Sequence, residues 1–204
     1  MKIGIIGIGN VGLQVLKDLN SNEKIKKTLN VEKILVRDKK KYLKILDIEF
    51  GKNNSISKKI TDNFTDFINS DIDIVVELIG GMNPAMEYVE KSILFGKNVV
   101  TANKEIISNN IDHLIKLADE KNVKLRFEAA VGAGIPLIEV LIDMLEQNNI
   151  SKITGIINGT SNYILSSMQN SGKSFDESLK KAQDLGFAES DPTNDVGGFG
   201  AKFK

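Results

Sequence analysis

The 204-residue chain is 41% hydrophobic and 26% charged, an ordinary balance for a globular fold with ample length for a core. Its 27 basic residues match 27 acidic ones, so no global field draws it to nucleic acid or to an anionic membrane. Cys is absent and His113 is the only histidine, which excludes disulfides, thiolate metal sites and thiol nucleophiles and leaves acid–base chemistry to Lys, Asp, Glu or Tyr.

The first predicted element is a glycine-broken apolar strand, Lys2 to Gly9, followed by a helix in which Val11, Val15 and Leu19 recur at helical spacing. No apolar run reaches the roughly 18 residues of a membrane span. Because Met1 leads straight into the strand, no leader peptide is expected and the cytoplasm is the default compartment. A second strand spans Val31 to Val36 and a helix Lys40 to Phe50. A buried strand covers Ile74 to Leu78, and a helix opens at Asn83-Pro84, with Asn83 as its cap, and closes at Gly96. The strand "NVVTA", a helix over Ile111 to Glu120 and the strand "VKLRFEAA" complete an alternation of strands and helices. Such alternation predicts an α/β fold with a parallel sheet over residues 1–129.

The pattern changes from residue 130. A glycine-interrupted turn leads into a helix over Pro136 to Glu146, then a strand "ISKITGIIN" and a turn and short helix closed by Gly172. A further helix over Ser174 to Leu185 carries a capping box of Ser174 and Glu177, with Gly186 past its end. One strand and these helices make part of a second, α+β domain over residues 130–204.

"GIGNVG" puts Gly7, Gly9 and Gly12 between the first strand and the first helix. The first glycine permits a tight turn, the second lets a pyrophosphate approach the backbone, and the third lets helix and strand pack closely. The phosphates then rest on the helix N-terminus, beside Ile8, Asn10 and Val11. "VRDKKK" follows the second strand, where an acidic residue would bind the ribose 2′-OH of NAD and an arginine the 2′-phosphate of NADP. Arg37 is one of only two arginines, which tilts this corner towards NADP; the alternative is a solvated basic helix start. Lys104 follows "NVVTA" at the carboxyl edge of the sheet, placed to face a nicotinamide and to exchange a proton. His113, in the middle of an amphipathic helix, reads as an ordinary helix residue.

The motifs "GIGNVG", "VRD", "ELIGG", "VVTANKE", "EAAVGAGIPLI", "INGTSNYIL" and "AESDPTNDV", in this order, resemble those of the homoserine dehydrogenases along the whole chain. The resemblance implies a Rossmann-type doubly wound sheet followed by an incomplete substrate and dimerisation domain. It implies NAD(P)H-dependent reduction of L-aspartate 4-semialdehyde to L-homoserine, on the route to threonine, methionine and isoleucine. The lack of Cys agrees independently, since an acylating semialdehyde dehydrogenase needs a thiolate. By resemblance, Gly7 to Gly12 hold the pyrophosphate, Arg37 the 2′-phosphate, and Lys104 touches cofactor and substrate. Glu128, Val131, Ala133 and Ile135 would bind a monovalent cation such as sodium. Asn158, Gly159 and Thr160 would sit beside the substrate, Glu189 on its ammonium, with Asp191 and Asp195 stiffening the loop. Lys204 falls at the family's second catalytic lysine, the proposed proton donor.

The pattern departs at three places. Gly200 stands where a catalytic-site Asp is expected, Lys202 where a small Ala is expected, and Phe187 replaces a Tyr. Family members also continue well beyond the position of Lys204. The expectation is therefore a fragment or truncated gene cut within its catalytic half, of low activity alone, and a homodimer in the full-length form. Two other readings stay open: a non-catalytic dinucleotide-binding protein or split subunit, and a reductase of another small amino-acid aldehyde or keto acid.

Overall fold

The computed structural model describes residues 1–132, 134–188 and 191–203. The chain divides into two compact units, Met1–Ala133 and Gly134–Lys204.

The first unit is built on six strands: β1 (Lys2–Ile6), β2 (Asn30–Leu35), β3 (Ile60–Thr61), β4 (Ile74–Glu77), β5 (Asn98–Thr101) and β6 (Leu125–Arg126). They lie in the order β3-β2-β1-β4-β5-β6, and every pairing is parallel. The sheet is doubly wound, and its order reverses between β1 and β4. Parallel strands are covered on both faces, so Ile3, Ile5, Ile6, Ile34, Leu35 and Val75 are all buried. One face packs on α1 (Asn10–Ser21) and, beyond the short α2 (Glu23–Lys26), on α3 (Lys39–Phe50), through Leu16, Leu46 and Ile56. The remaining helices of this unit are α4 (Phe64–Ile68), α5 (Ala85–Leu94) and α6 (Lys104–Glu120). Gly4 is needed under α4, because a Cβ there would come within 2.6 Å of the Phe67 ring.

Three local expectations change in this unit. Asn83 is not the cap of α5: the Pro84 carbonyl accepts the first helical bond, from the Tyr88 N–H at 3.1 Å, and the start has no side-chain cap. The helix expected over Ile111 to Glu120 begins seven residues earlier, at Lys104. Asn103 caps it, accepting from the Glu105 and Ile106 N–H groups at 3.2 Å. The polar run Ser108 to Asn110 disguises that first part, since these side chains bond back to the Glu105 and Ile106 carbonyls and Asn110 leaves helical geometry. The strand over "VKLRFEAA" shortens to β6, because Phe127 turns out of extended backbone (φ −142°, ψ 23°) into a 3-10 turn, Glu128–Ala130.

The second unit contains α7 (Ile138–Gln147), α8 (Gly159–Ser171), α9 (Phe175–Asp184) and the single turns α10 (Thr193–Val196) and α11 (Phe199–Lys202). The strand expected at "ISKITGIIN" is absent: no strand of this unit is present among the described residues to pair with it, and Ile153, Ile156 and Ile157 are exposed. A small core joins α8 and α9 through Ile164, Ala182 and Ala188, flanked by Tyr163, Met168 and Leu179. Gly172, in the left-handed region at φ 63°, closes α8. The predicted capping box is present: the Ser174 hydroxyl accepts from the Glu177 N–H at 3.3 Å, and the Glu177 carboxylate accepts from the Ser174 N–H at 2.9 Å.

The Ser174 N–H, followed by the hydroxyl, holds the Glu177 carboxyl below the usual glutamate range. A folded pKa below the unfolded value adds stability that is complete above the unfolded value and fades as the pH falls through the folded one. Ser174→Ala is expected to lower the stability of α9 by about 1 kcal/mol at neutral pH. The difference between wild type and variant should shrink in acid, as the pH falls below the ordinary glutamate range and Glu177 protonates. Denaturant titrations monitored by helical ellipticity at several pH values check both expectations.

Candidate dinucleotide and substrate site

The carboxyl end of β1 turns at Gly7, whose φ of 88° lies in the region that favours glycine. The turn is crowded: a Cβ on Gly7 would fall 2.3 Å from Ile79 Cγ2 in the loop after β4. Gly12, in the first turn of α1, would place a Cβ 2.2 Å from the Gly7 carbonyl oxygen. Gly9 differs. It caps α1 through its carbonyl, which accepts from the Leu13 N–H at 2.8 Å, and a Cβ there would meet no atom within 4 Å. Open space thus lies directly before the first N–H groups of a 12-residue helix, those of Asn10, Val11 and Gly12, which a helix leaves without internal partners. Ile8 points into the core, whereas Asn10 and Val11 are exposed. This cradle at the strand-order reversal fits the pyrophosphate of a dinucleotide.

On the β2 side of the cradle, Arg37 is exposed and makes no hydrogen bond or ion pair among the described residues. Asp38 beside it is committed to the fold: its carboxylate accepts from the Lys41 N–H at 2.9 Å as the N-cap of α3. On the other side, the ends of β4 and β5 carry a buried polar cluster that the sequence did not disclose. Glu77, fully buried, accepts from the Ile79 N–H at 2.8 Å through Oε1 and from the Thr101 hydroxyl through Oε2. Thr101 Oγ1 in turn accepts from the Asn103 N–H at 3.0 Å. Asn103 Nδ2 donates to the Ile79 carbonyl at 2.9 Å and the Gly81 carbonyl at 2.8 Å. Burial pushes the Glu77 carboxyl up, against the opposing pull of its hydrogen bonds. The "ELIGG" and "TANK" motifs hinted at this cluster, but their separation in the chain hid its pairing.

Lys104 follows Asn103 as the first residue of α6, half-buried, with no hydrogen bond or ion pair to its ammonium among the described residues. A cation at a helix N-terminus opposes the helix dipole, so the fold gains nothing from a lysine there. The only histidine bonds to Glu90 Oε1 at 2.8 Å on the surface, outside this cluster.

In the second unit, Asn158 caps α8 by accepting from the Ser161 N–H at 2.9 Å. Its Nδ2 donates to Asp195 Oδ1 at 2.9 Å. The Thr160 hydroxyl donates to the Phe187 carbonyl at 2.5 Å, with Asp195 Oδ2 at 3.3 Å, and Ser161 Oγ donates to the Asp195 carbonyl at 3.0 Å. Asn158, Gly159, Thr160 and Asp195 therefore meet at the start of α8. Asp191 accepts from the Thr193 hydroxyl and then from its N–H, which hold its carboxyl below the usual range. Phe187 puts its ring 5.0 Å from that of Tyr163. Of the expected cation ligands, Glu128 lies in the 3-10 turn, Val131 is buried just after it, and Ile135 is exposed in the second unit. Ala133, Glu189 and Lys204 lie outside the described residues. Among the described residues no cluster of three or more His, Cys, Asp or Glu side chains could hold a metal.

Two family models match the chain: the NAD binding domain of homoserine dehydrogenase over residues 7–128, and homoserine dehydrogenase over residues 136–204. The chain belongs to the homoserine dehydrogenase family. It is 40% identical to the homoserine dehydrogenase of Lactococcus lactis, covering 100% of this chain and 48% of that protein. It is 39% identical to that of Helicobacter pylori, of which it covers 47%. It therefore spans about half the length of the curated relatives it matches. Among solved structures, a homoserine dehydrogenase from Thiobacillus denitrificans superposes with a TM-score of 0.85 at 42% identity, over all of this chain and 47% of that one. A hyperthermophilic archaeal homoserine dehydrogenase in complex with NADPH superposes at 0.81 and 29% identity, over all of this chain and 66% of its own.

Two of the three cradle glycines, Gly12 and Gly9, separate a packing requirement from open space. Gly12→Ala drives a methyl into a backbone carbonyl that cannot move aside, and is expected to lower stability by about 1–3 kcal/mol. Gly9→Ala meets no atom and should stay within about 0.5 kcal/mol of wild type. Chemical denaturation of both variants checks the contrast.

Proposed function

We propose that the chain is the cofactor-binding part, over residues 1–129, and a portion of the catalytic part, over 130–204, of a homoserine dehydrogenase. The proposed reaction is NADPH-dependent reduction of L-aspartate 4-semialdehyde to L-homoserine in the cytoplasm, and the proposed assembly of the complete protein is a homodimer. The observation that carries this reading is the glycine cradle with Arg37, unpaired among the described residues, on one flank and Lys104 on the other. No helix is long and apolar enough to cross a membrane among the described residues.

Gly7 to Gly12 would receive the pyrophosphate on the first N–H groups of α1. Arg37 would pair with the ribose 2′-phosphate, a site that Asp38 cannot contest while it caps α3. The nicotinamide, when bound, supplies the hydride. Lys104 would place its ammonium at the carbonyl oxygen of the semialdehyde and stabilise the negative charge gathering there, with Lys204 as the second lysine and proton donor. Thr160, Gly159 and Asp195 would line the substrate, and Glu189 would pair with its ammonium. The carbonyls around Val131, where Gly132 turns the chain at φ 74°, would hold a monovalent cation together with Glu128, Ala133 and Ile135.

Arg37→Ala is expected to weaken NADPH roughly tenfold or more, the worth of a charge-assisted hydrogen bond, and to leave NADH nearly unchanged. Equal losses for both cofactors in fluorescence titrations would remove Arg37 from the phosphate site. In a protein extended to the length of its relatives, Lys104→Ala should abolish homoserine oxidation while cofactor affinity changes little. Near-native turnover by that variant would refute its role at the oxygen.

A further inference from the structure

Glu77 is a carboxylate placed where the sheet should be apolar. It is fully buried at the last position of β4, and no cation lies against it among the described residues. Burying such a group is costly unless its oxygens are matched by donors, so its presence calls for a role that an apolar residue cannot fill.

Its partners define that role. Oε1 takes the N–H of Ile79, and Ile79 is the residue whose side chain closes over Gly7. Oε2 accepts from the Thr101 hydroxyl, whose oxygen in turn accepts from the Asn103 N–H. Asn103 then uses both of its amide protons on the carbonyls of Ile79 and Gly81, and its amide oxygen on the first N–H groups of α6. Only a group that accepts at both ends sets all these bonds in one direction. A glutamine presents an N–H at one of these two ends, where it would face either the Ile79 N–H or the Thr101 hydroxyl proton.

We propose that Glu77 is a positioning residue for the nicotinamide half of the cofactor. Through Thr101 and Asn103 it locks the loop Leu78–Gly81 to the start of α6, and so fixes the wall of the crevice on the Lys104 side. The inference rests on the dinucleotide reading given above. On that reading the pyrophosphate would rest at the reversal between β1 and β4, and Arg37 would draw the adenosine half towards β2. The other half must therefore run over the ends of β4 and β5, where this lock lies.

The test compares two probes on the full chain: NADPH, which spans the crevice, and adenosine 2′,5′-bisphosphate, which occupies only the Arg37 side. Glu77→Gln and Thr101→Val are expected to weaken NADPH up to about tenfold, the worth of one or two hydrogen bonds, while the bisphosphate changes less than about twofold. Thr101→Ser, which keeps the hydroxyl, should restore the affinity that Thr101→Val loses. A merely structural role would weaken both probes together. Parallel losses, or full NADPH affinity in both variants, overturn the positioning role while the cofactor reading stands. Failure of the wild-type chain to bind NADPH removes the cofactor reading and this inference together. Thermal unfolding of each variant identifies one that has not folded, and Thr101→Val, close in shape to the native residue, then decides alone.

Discussion

The contact on which the site depends is between Gly12 and the carbonyl of Gly7. A single added carbon would sit 2.2 Å from that oxygen, so α1 starts as close to the end of β1 as a backbone can approach. That closeness brings the free N–H groups of the helix to the edge of the sheet at the one place where strand order reverses. Ile79 reaches the same turn from β4 and closes its other side. A displacement of α1 by the width of a methyl group would move the positive end of its dipole away from any bound phosphate, where the effect falls off within a turn. Glycine at these two positions is therefore a packing requirement first, from which the binding geometry follows.

Local rules are obeyed through most of the sheet and broken together at one end of it. The strands are runs of isoleucine and valine, as burial on both faces demands. At the carboxyl ends of β4 and β5, however, stand a buried carboxylate, a buried threonine and a buried asparagine, and beyond them a lysine at the wrong end of a helix. The buried carboxylate and the lysine are unfavourable for folding by themselves. Their concentration at the crevice is what a site maintained for binding looks like, since conflicts between local preference and fold gather where function demands them.

Much of this was legible in the sequence. The order of strands and helices in the first unit follows from the alternation of apolar runs, and the glycine turn from its place between a strand and a helix. Short elements escaped: β3 has two residues and α4 five, too few for any periodicity to register. The start of α6 escaped because Asn103 reads as a loop residue until its bonds are known, and Ser108 to Asn110 imitate a loop inside the helix. Lys104 was legible as a residue of interest, but its neighbour Asn103 was not. The cluster around Glu77 pairs residues 24 positions apart across two strands, and spacing along a chain carries no trace of such pairing. In the second unit, the apolar run Ile150 to Asn158 carries a strand pattern but finds no strand beside it among the described residues. A ladder needs a partner, and pattern alone cannot supply one.

In the corner after β2, one residue's structural bond bears on the role proposed for its neighbour. Arg37 and Asp38 are adjacent and opposite in charge, and either could address the adenosine ribose: the carboxylate through a free 2′-OH, the guanidinium through a 2′-phosphate. Asp38 also begins α3, where its oxygen satisfies a backbone N–H that would otherwise lack a partner and its charge suits the helix dipole. Turning that carboxylate outwards to a ribose would forfeit the cap. Arg37 itself stays exposed beside the cradle and makes no hydrogen bond or ion pair among the described residues. Folding of α3 and recognition of a 2′-phosphate thus favour the same arrangement. The basic run Lys39 to Lys41 behind them, unfavourable at a helix start, adds positive potential at the position where that phosphate would lie.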